Sequence, residues 1–280
     1  MRWAVRRAHP RRRERDDKMK NFSRALAIFI LGAFLYAGSV TAGVGFRVGG
    51  GFDRILYGDY NDFIDQLNDV VLPAHNISGK LDNIHWAPEF RGEVLFSYLP
   101  RTTIGLGFGF ISAKSRFSLE YSGVEAGFEE HTVKAYPVYV TAYVSIPAPF
   151  MFMKPYVFGG GGLYPAKITF DQTTPVDTST CEADLDKTGF GLHGGVGFEV
   201  SIAPKVAFDF EFFARWAKID GFKGTATWGD GTSQEVFLTR CEKSGLLRFG
   251  WAAIEDRDAY EEGAVDLSGF GFSLGLKVQF

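Results

Sequence analysis

Histidines are few enough in this sequence to be taken one by one for chemistry. His131 directly follows Glu129 and Glu130, and an imidazole oriented by a carboxylate is what a general base requires. His193 lies inside an alternating segment, while His75 and His85 flank one polar stretch without the spacing of a metal-ligating pair. Glu182, Asp184 and Asp186 alternate in "CEADLD", a pattern that can present carboxylates to a hard cation, but no complete cation-binding loop follows. The glycine run at 158–165, "FGGGGLYP", lacks the lysine and helix of a phosphate loop, so it reads as relief inside a curved strand. Asn76-Ile77-Ser78 matches a glycosylation acceptor and is read as chance. No hydrolytic centre can be assembled from these residues. The expectation is a protein that is not an enzyme and holds no metal or cofactor.

The amino-terminal region sets the compartment. From Met19, Lys20 and Arg24 precede an apolar run over 25–36 and the small-residue pattern Val40-Thr41-Ala42, which together predict a secretory signal peptide over 19–42, cut after Ala42. Residues 1–18 are arginine-rich and have no place in that signal; they are expected to be an over-extended start. Residues 1–42 carry ten of the 30 basic and three of the 33 acidic residues, leaving 20 and 30 in the mature chain, a net of −10. That balance argues against a nucleic-acid partner. Export would put Cys181 and Cys241 in an oxidising compartment, where they are expected to pair, with two free redox thiols as the alternative.

What positions the remaining polar residues is a repeated alternation. Even-numbered positions are apolar from Val44 through Phe46, Val48 and Phe52, then at Phe90, Val94, Phe96 and Tyr98, and at Ile104, Leu106, Phe108 and Phe110. The same parity continues over 136–146, through Tyr156, Phe158, Tyr164, Ile168 and Phe170, over 190–202 and over 206–216. It finishes with Phe270, Phe272, Leu274, Leu276, Val278 and Phe280. Period-two alternation predicts strands with one apolar face, eight in all. "LPRTT", "PAPFM" and "APK" are tight turns, whereas the links near 53–83, 121–130, 171–187 and 221–265 are expected to be long and polar. An even number of strands, with short turns at one end and long loops at the other, describes an all-β, antiparallel up-and-down barrel. Within the first long loop, residues 53–72 have helical apolar spacing and predict a short amphipathic helix on the rim or in the mouth.

The other parity says which face is outside. It carries Gly45, Gly49, Gly105, Gly107, Gly195, Gly197, Gly271 and Gly275, together with Arg47, Glu89, Arg91, Glu93, Glu199, Asp209, Glu211, Arg215 and Lys277. Glycines suit a crowded lumen, and charges inside an eight-stranded barrel persist only when paired. Residues 43–280 are therefore expected to form a membrane barrel plugged by ion pairs, with His193 in the network beside Asp209 or Glu211. Trp216, Trp228, Trp251, Tyr98, Tyr136, Tyr156 and Tyr164 are candidates for interfacial girdles.

An alternating terminal strand ending in Phe280, behind a signal peptide, resembles the carboxy-terminal signature of bacterial outer-membrane β-barrels. The pattern over 43–280 is similar to the small eight-stranded OmpA/OmpX-type domains, although the helix at 53–72 is a departure from the smallest members. The resemblance implies the outer membrane of a Gram-negative bacterium as location. It also implies recognition of Phe270, Phe272, Leu274, Leu276, Val278 and Phe280 by the outer-membrane assembly machinery, and a monomer in contact with lipid and lipopolysaccharide. Some barrels of this kind are lipid A-modifying enzymes or proteases, but "HTV" after His131 lacks the histidine and serine pattern of the deacylases. Membrane integrity or surface interaction is the function expected, with a narrow porin as the alternative.

Overall fold

A computed structural model describes residues 43–71, 73, 77–78, 83–99, 101–121, 124–147, 153–174, 179–243, 246–253 and 261–280. Residues 1–42, which include the predicted signal peptide and the extension expected before it, lie outside the described residues. Strand β1 (Gly43–Ile55) is followed by helix α1 (Gly58–Gln66), β2 (Trp86–Leu99), β3 (Thr102–Tyr121), β4 (Val124–Ala135) and β5 (Val138–Ser145). Then come β6 (Met153–Thr174), β7 (Ser179–Ala203), β8 (Val206–Trp216), β9 (Lys223–Trp228), β10 (Ser233–Lys243), β11 (Leu246–Ala253) and β12 (Gly269–Gln279).

The terminal strand closes the ring. β12 pairs with β1 from Gly45↔Gln279 to Ile55↔Gly269, and on its other side with β8. β1 neighbours β2, and antiparallel pairing continues through β3, β4 with β5, β6, β7 and β8. β4 and β5 act as one strand interrupted at Tyr136-Pro137, where the Gly109 amide still donates to Pro137 O and the Tyr136 amide to Pro165 O, both at 2.8 Å. Counted so, eight strands form a closed barrel without an edge, which satisfies every ladder within the sheet and permits a bilayer span. The start of β1 and the end of β12 share the short-turn end, with the Phe280 amide donating to Val44 O at 2.8 Å and the Gln279 amide to Lys205 O at 2.9 Å.

The outward face is apolar. Val48, Phe90, Phe108, Val140, Phe190, Val196, Phe212 and Phe272 are each about half or more exposed, a contiguous belt that water would penalise and acyl chains accept. Trp216 and Tyr136 are exposed at its margin. Strand β6 reverses the expected parity: Tyr156, Phe158, Tyr164, Ile168 and Phe170 point inward and are buried, while Val157 and Leu163 face out. The register explains it, because inward Tyr143 pairs with Phe158, so the β5–β6 connection shifts the phase by one residue and exchanges the faces. Tyr156 and Tyr164 are therefore lumen residues. Trp228 packs on a core outside the span, and the side chains of Tyr98 and Trp251 lie outside the described residues.

Two of the predicted long loops are strands. β3 runs to Tyr121 with β4 beginning at Val124, and β6 runs to Thr174 with β7 beginning at Ser179. At 25 residues, more than twice the roughly 10 residues a bilayer span requires, β7 extends about 80 Å at 3.3 Å per residue. The reason is that inward alternation does not stop at the membrane: Ile111, Ala113, Val133, Ala135, Ile168, Phe170, Ala183 and Leu185 are buried on the continuing strands. They enclose a second, apolar core filled from above by Tyr60 and Ile64 of α1, by Ile219 and Phe222, by Val236 and Leu238 of β10, and by Val265 and Leu267. The helix is shorter than 53–72, since Asp53 to Ile55 remain in β1 and a π-turn over Leu67–Val71 follows α1. Positive φ at Tyr57 and Gly58 turns the strand into the helix. Asn61 then fixes it, donating to Leu56 O and Ile84 O and accepting from the Ile84 amide, all at 2.9 Å.

The expected fourth loop is also structured. β9 pairs with β7 and with β10, and β10 with β11. At the β9–β10 turn the Thr232 hydroxyl and amide donate to Asp230 at 2.7 and 2.8 Å, which holds that carboxyl below its ordinary range.

Candidate functional site

Inward charge is arranged in two tiers across the lumen. In the lower tier Arg47 of β1 donates to Glu93 of β2 at 2.5 Å, to Asp209 of β8 at 3.0 Å, and to Glu211. Two phenols complete it: Tyr143 donates to Glu93 at 2.8 Å and Tyr156 to Asp209 at 2.5 Å and Glu211 at 3.0 Å. The Arg47 guanidinium also lies 4.5 Å over the Tyr143 ring. Arg91 bridges the tiers, reaching Glu211 at 2.9 Å and Glu89 at 3.9 Å while its guanidinium covers Phe213. In the upper tier Arg215 donates to Asp53 at 2.5 Å, Glu89 at 3.3 Å and Leu267 O at 3.0 Å. Lys277 pairs with Glu199 towards the short-turn end.

These contacts follow from register. Arg47 lies opposite Lys277, Ser273 opposite Glu211 and Gly275 opposite Asp209, so inward residues of β1, β12 and β8 stack side by side. Each buried carboxylate accepts from an arginine, lysine or tyrosine, the condition under which buried charge is tolerated. Between Arg47, Arg91, Glu93, Asp209 and Glu211 remains a cavity of about 10 Å³, room for about one water.

Nine of the ten network residues named from the sequence are brought together: Arg47, Glu89, Arg91, Glu93, Glu199, Asp209, Glu211, Arg215 and Lys277. His193 lies at the margin of the network, within electrostatic reach of Arg91, Glu93, Glu89 and Glu211, but its close contacts are elsewhere. Its Nε2 lies 2.8 Å from the Thr141 hydroxyl and its ring packs edge-on to Tyr139; the register sets it beside Gly160 and Arg215, above the Asp209 and Glu211 positions. Asp53 was missed by the sequence reading, although it shares the odd parity of Arg47 on β1. Tyr143 and Tyr156 were also missed, the latter because of the phase change in β6.

Elsewhere the candidates separate. His131 is buried against Tyr60 and Phe170 in the apolar core, with ring centroids 5.2 and 4.6 Å away. Asp184 is engaged by Lys167 and Thr169, each at 2.8 Å, and among the described residues no group of three His, Cys, Asp or Glu side chains is placed to hold a metal ion. His75 and Asn76 lie outside the described residues. Cys181 is a free thiol opposite Trp228, whose neighbour Thr227 pairs with Ser233. Cys241 lies eight residues further along β10, about 26 Å of strand against the roughly 7 Å limit between bridged Cα atoms. The expected bridge is therefore not seen in this register. The glycines at 160 and 162 sit where a Cβ would strike the backbone of β5, consistent with close strand approach and not with a phosphate loop.

No protein-family model and no curated protein sequence matches this chain. Among solved structures, a major outer membrane protein of Thermus thermophilus is 11% identical, with a TM-score of 0.47 over 85% of this chain and 99% of its own. The outer membrane protease OmpT of Escherichia coli is 10% identical, with a TM-score of 0.47 over 87% and 100%. Outer membrane protein W of E. coli is 15% identical, with a TM-score of 0.29 over 86% and 100%. In this chain itself, the closed antiparallel ring, the outward apolar belt and the paired charges within it make an outer-membrane-type β-barrel.

Proposed function

We propose that this chain is a non-enzymatic and non-conducting barrel that serves the integrity of the outer membrane through contact with lipid and lipopolysaccharide. The observation that carries this reading is a double seal. The ion-pair tiers cross the lumen, and directly above them the apolar core around Tyr60, Ile64, Leu238 and Leu267 fills the mouth. A solute would have to displace both. The same fixed core makes the extracellular half a firm wall suited to lateral contact. The barrel acts as a monomer, and the outward face Phe270, Phe272, Leu274 and Leu276, with Val278 and terminal Phe280, is the segment presented to the assembly machinery.

The test is a deletion strain. Entry of a hydrophobic fluorescent dye across the outer membrane is expected to rise while uptake of small hydrophilic solutes is unchanged. Unaltered dye entry with impaired solute uptake would replace this reading with a narrow porin.

A further inference from the structure

Above the belt, β3, β4, β6, β7 and β9 continue as one wall whose outward residues lie in register. The row nearest the belt sets Lys134 opposite Lys167, Lys167 opposite Asp186, and Asp186 opposite Lys223. Directly below Lys134 on the same face is Tyr136, exposed and 5.5 Å from the Phe110 ring, and below Lys167 is exposed Leu163. Ten residues separate Val157 from Lys167 on β6, about 33 Å along a tilted strand, so the row falls at the outer boundary of the bilayer.

The row is electrostatically incomplete. Like charges directly opposite on one sheet face repel, and Lys134 faces Lys167. The Lys167 ammonium is drawn up to Asp184, while Lys134 makes no ion pair among the described residues. Two rows higher acids predominate, with Glu130 opposite Asp171 and Asp171 opposite Glu182, and the cations on that part of the wall lie against acid: Lys114 pairs with Glu130 at 2.8 Å and Arg116 stands opposite Glu130. The positive charge left without an acidic partner is thus that of Lys134, at the level where headgroups lie and beside apolar side chains that acyl chains would cover.

We infer that Lys134, Lys167 and Lys223 form a docking row for the phosphorylated headgroup of an outer-leaflet lipid, whose acyl chains lie along Tyr136 and Leu163. A phosphate monoester brings roughly −1.5 to −2 charges at neutral pH, which offsets the net charge of the row and removes the Lys134–Lys167 repulsion. This inference rests on the lipid-contact reading proposed above and gives that contact a place.

The experiment is native mass spectrometry of the folded mature chain, titrated with diphosphoryl lipid A and with the same lipid after dephosphorylation. Wild type is expected to retain the phosphorylated form at about tenfold lower concentration, the effect of one to two ammonium groups at a membrane surface. Lys134→Gln with Lys167→Gln and Lys223→Gln should erase the difference, and the triple arginine variant should keep it. Heat-modifiability checks that each variant is folded, and the single Lys134→Glu serves if the triple variant is not. Equal retention of both lipids by wild type would overturn the row while leaving lipid contact intact; retention of neither would overturn both. Displacement of the lipid preference by millimolar inorganic phosphate would show a free-phosphate site and overturn the lipid assignment.

Discussion

Arg215 on β8 donates to Asp53 on β1 at 2.5 Å, and the two side chains are 3% and 1% exposed. Glu89 approaches the same guanidinium at 3.3 Å. Removing the arginine would strand Asp53 in the interior and leave Glu89 only the more distant Arg91, so Arg215→Met is expected to cost about 3–5 kcal/mol. The loss reads as a lower urea midpoint for the fast-migrating folded band. Combining it with Asp53→Leu and Glu89→Leu should recover most of that loss, because an apolar replacement of the whole group leaves no charge unmatched. A wild-type midpoint in the single variant would mean that the upper tier does not hold the barrel together.

Tyr139 occupies the space that a side chain at position 107 would need: a Cβ on Gly107 would overlap its ring. Gly107→Ala should therefore destabilise by about 1–3 kcal/mol, and Tyr139→Leu in the same chain should restore stability. Gly92, where a Cβ meets nothing within 4 Å, is the matched control, and Gly92→Ala should leave the midpoint unchanged.

How far the sequence could be read depended on whether one face was chemically distinct. In β8, Phe208, Phe210 and Phe212 alternate with Asp209 and Glu211, so orientation was unambiguous and both carboxylates were placed correctly. In β6 the two faces differ little, since Gly160 and Gly162 share one parity with Tyr156, Phe158 and Tyr164 while Gly159 and Gly161 share the other with Val157 and Leu163, and the phase change at its start left no mark. Asp53 was lost for a local reason: Ile55, Leu56 and the apolar residues beyond it continue a helical spacing, which pulled the helix boundary five residues too early, into β1. The apolar core above the membrane was hidden because its contributors, such as Ala183, Leu185, Val236 and Leu238, are spread over segments dense in acidic residues. Burial there is a property of the assembled wall.

Asp171 on the extracellular wall is pushed above the ordinary carboxyl range by partial burial, with Glu130 and Asp184 adding to it. A carboxyl whose folded value is raised binds its proton more tightly in the fold, so local stability is present at low pH and is lost as pH rises from about 4 through the raised value. Amides around Asp171 should exchange more slowly at pH 5 than at pH 8 after correction for intrinsic rates. Asp171→Asn should abolish that dependence; an unchanged pH profile in the variant would assign it to another group.

Cys181 is half-buried against the outer core, and burial pushes its thiol up. The mature protein should run identically on gels with and without reductant, and Cys181 should react slowly with maleimide at pH 7. A mobility shift on reduction that Cys181→Ser removes would show a bridge that the β9–β10 register does not allow.

If the ion-pair tiers and the apolar core close the lumen, single-channel recording of the folded chain, residues 43–280, in a planar bilayer at neutral pH should show no stepwise conductance from the wild-type protein. A reproducible unitary step whose size changes when Arg47 or Glu211 is substituted would contradict that closure, because ions would then be passing through the residues that form the seal.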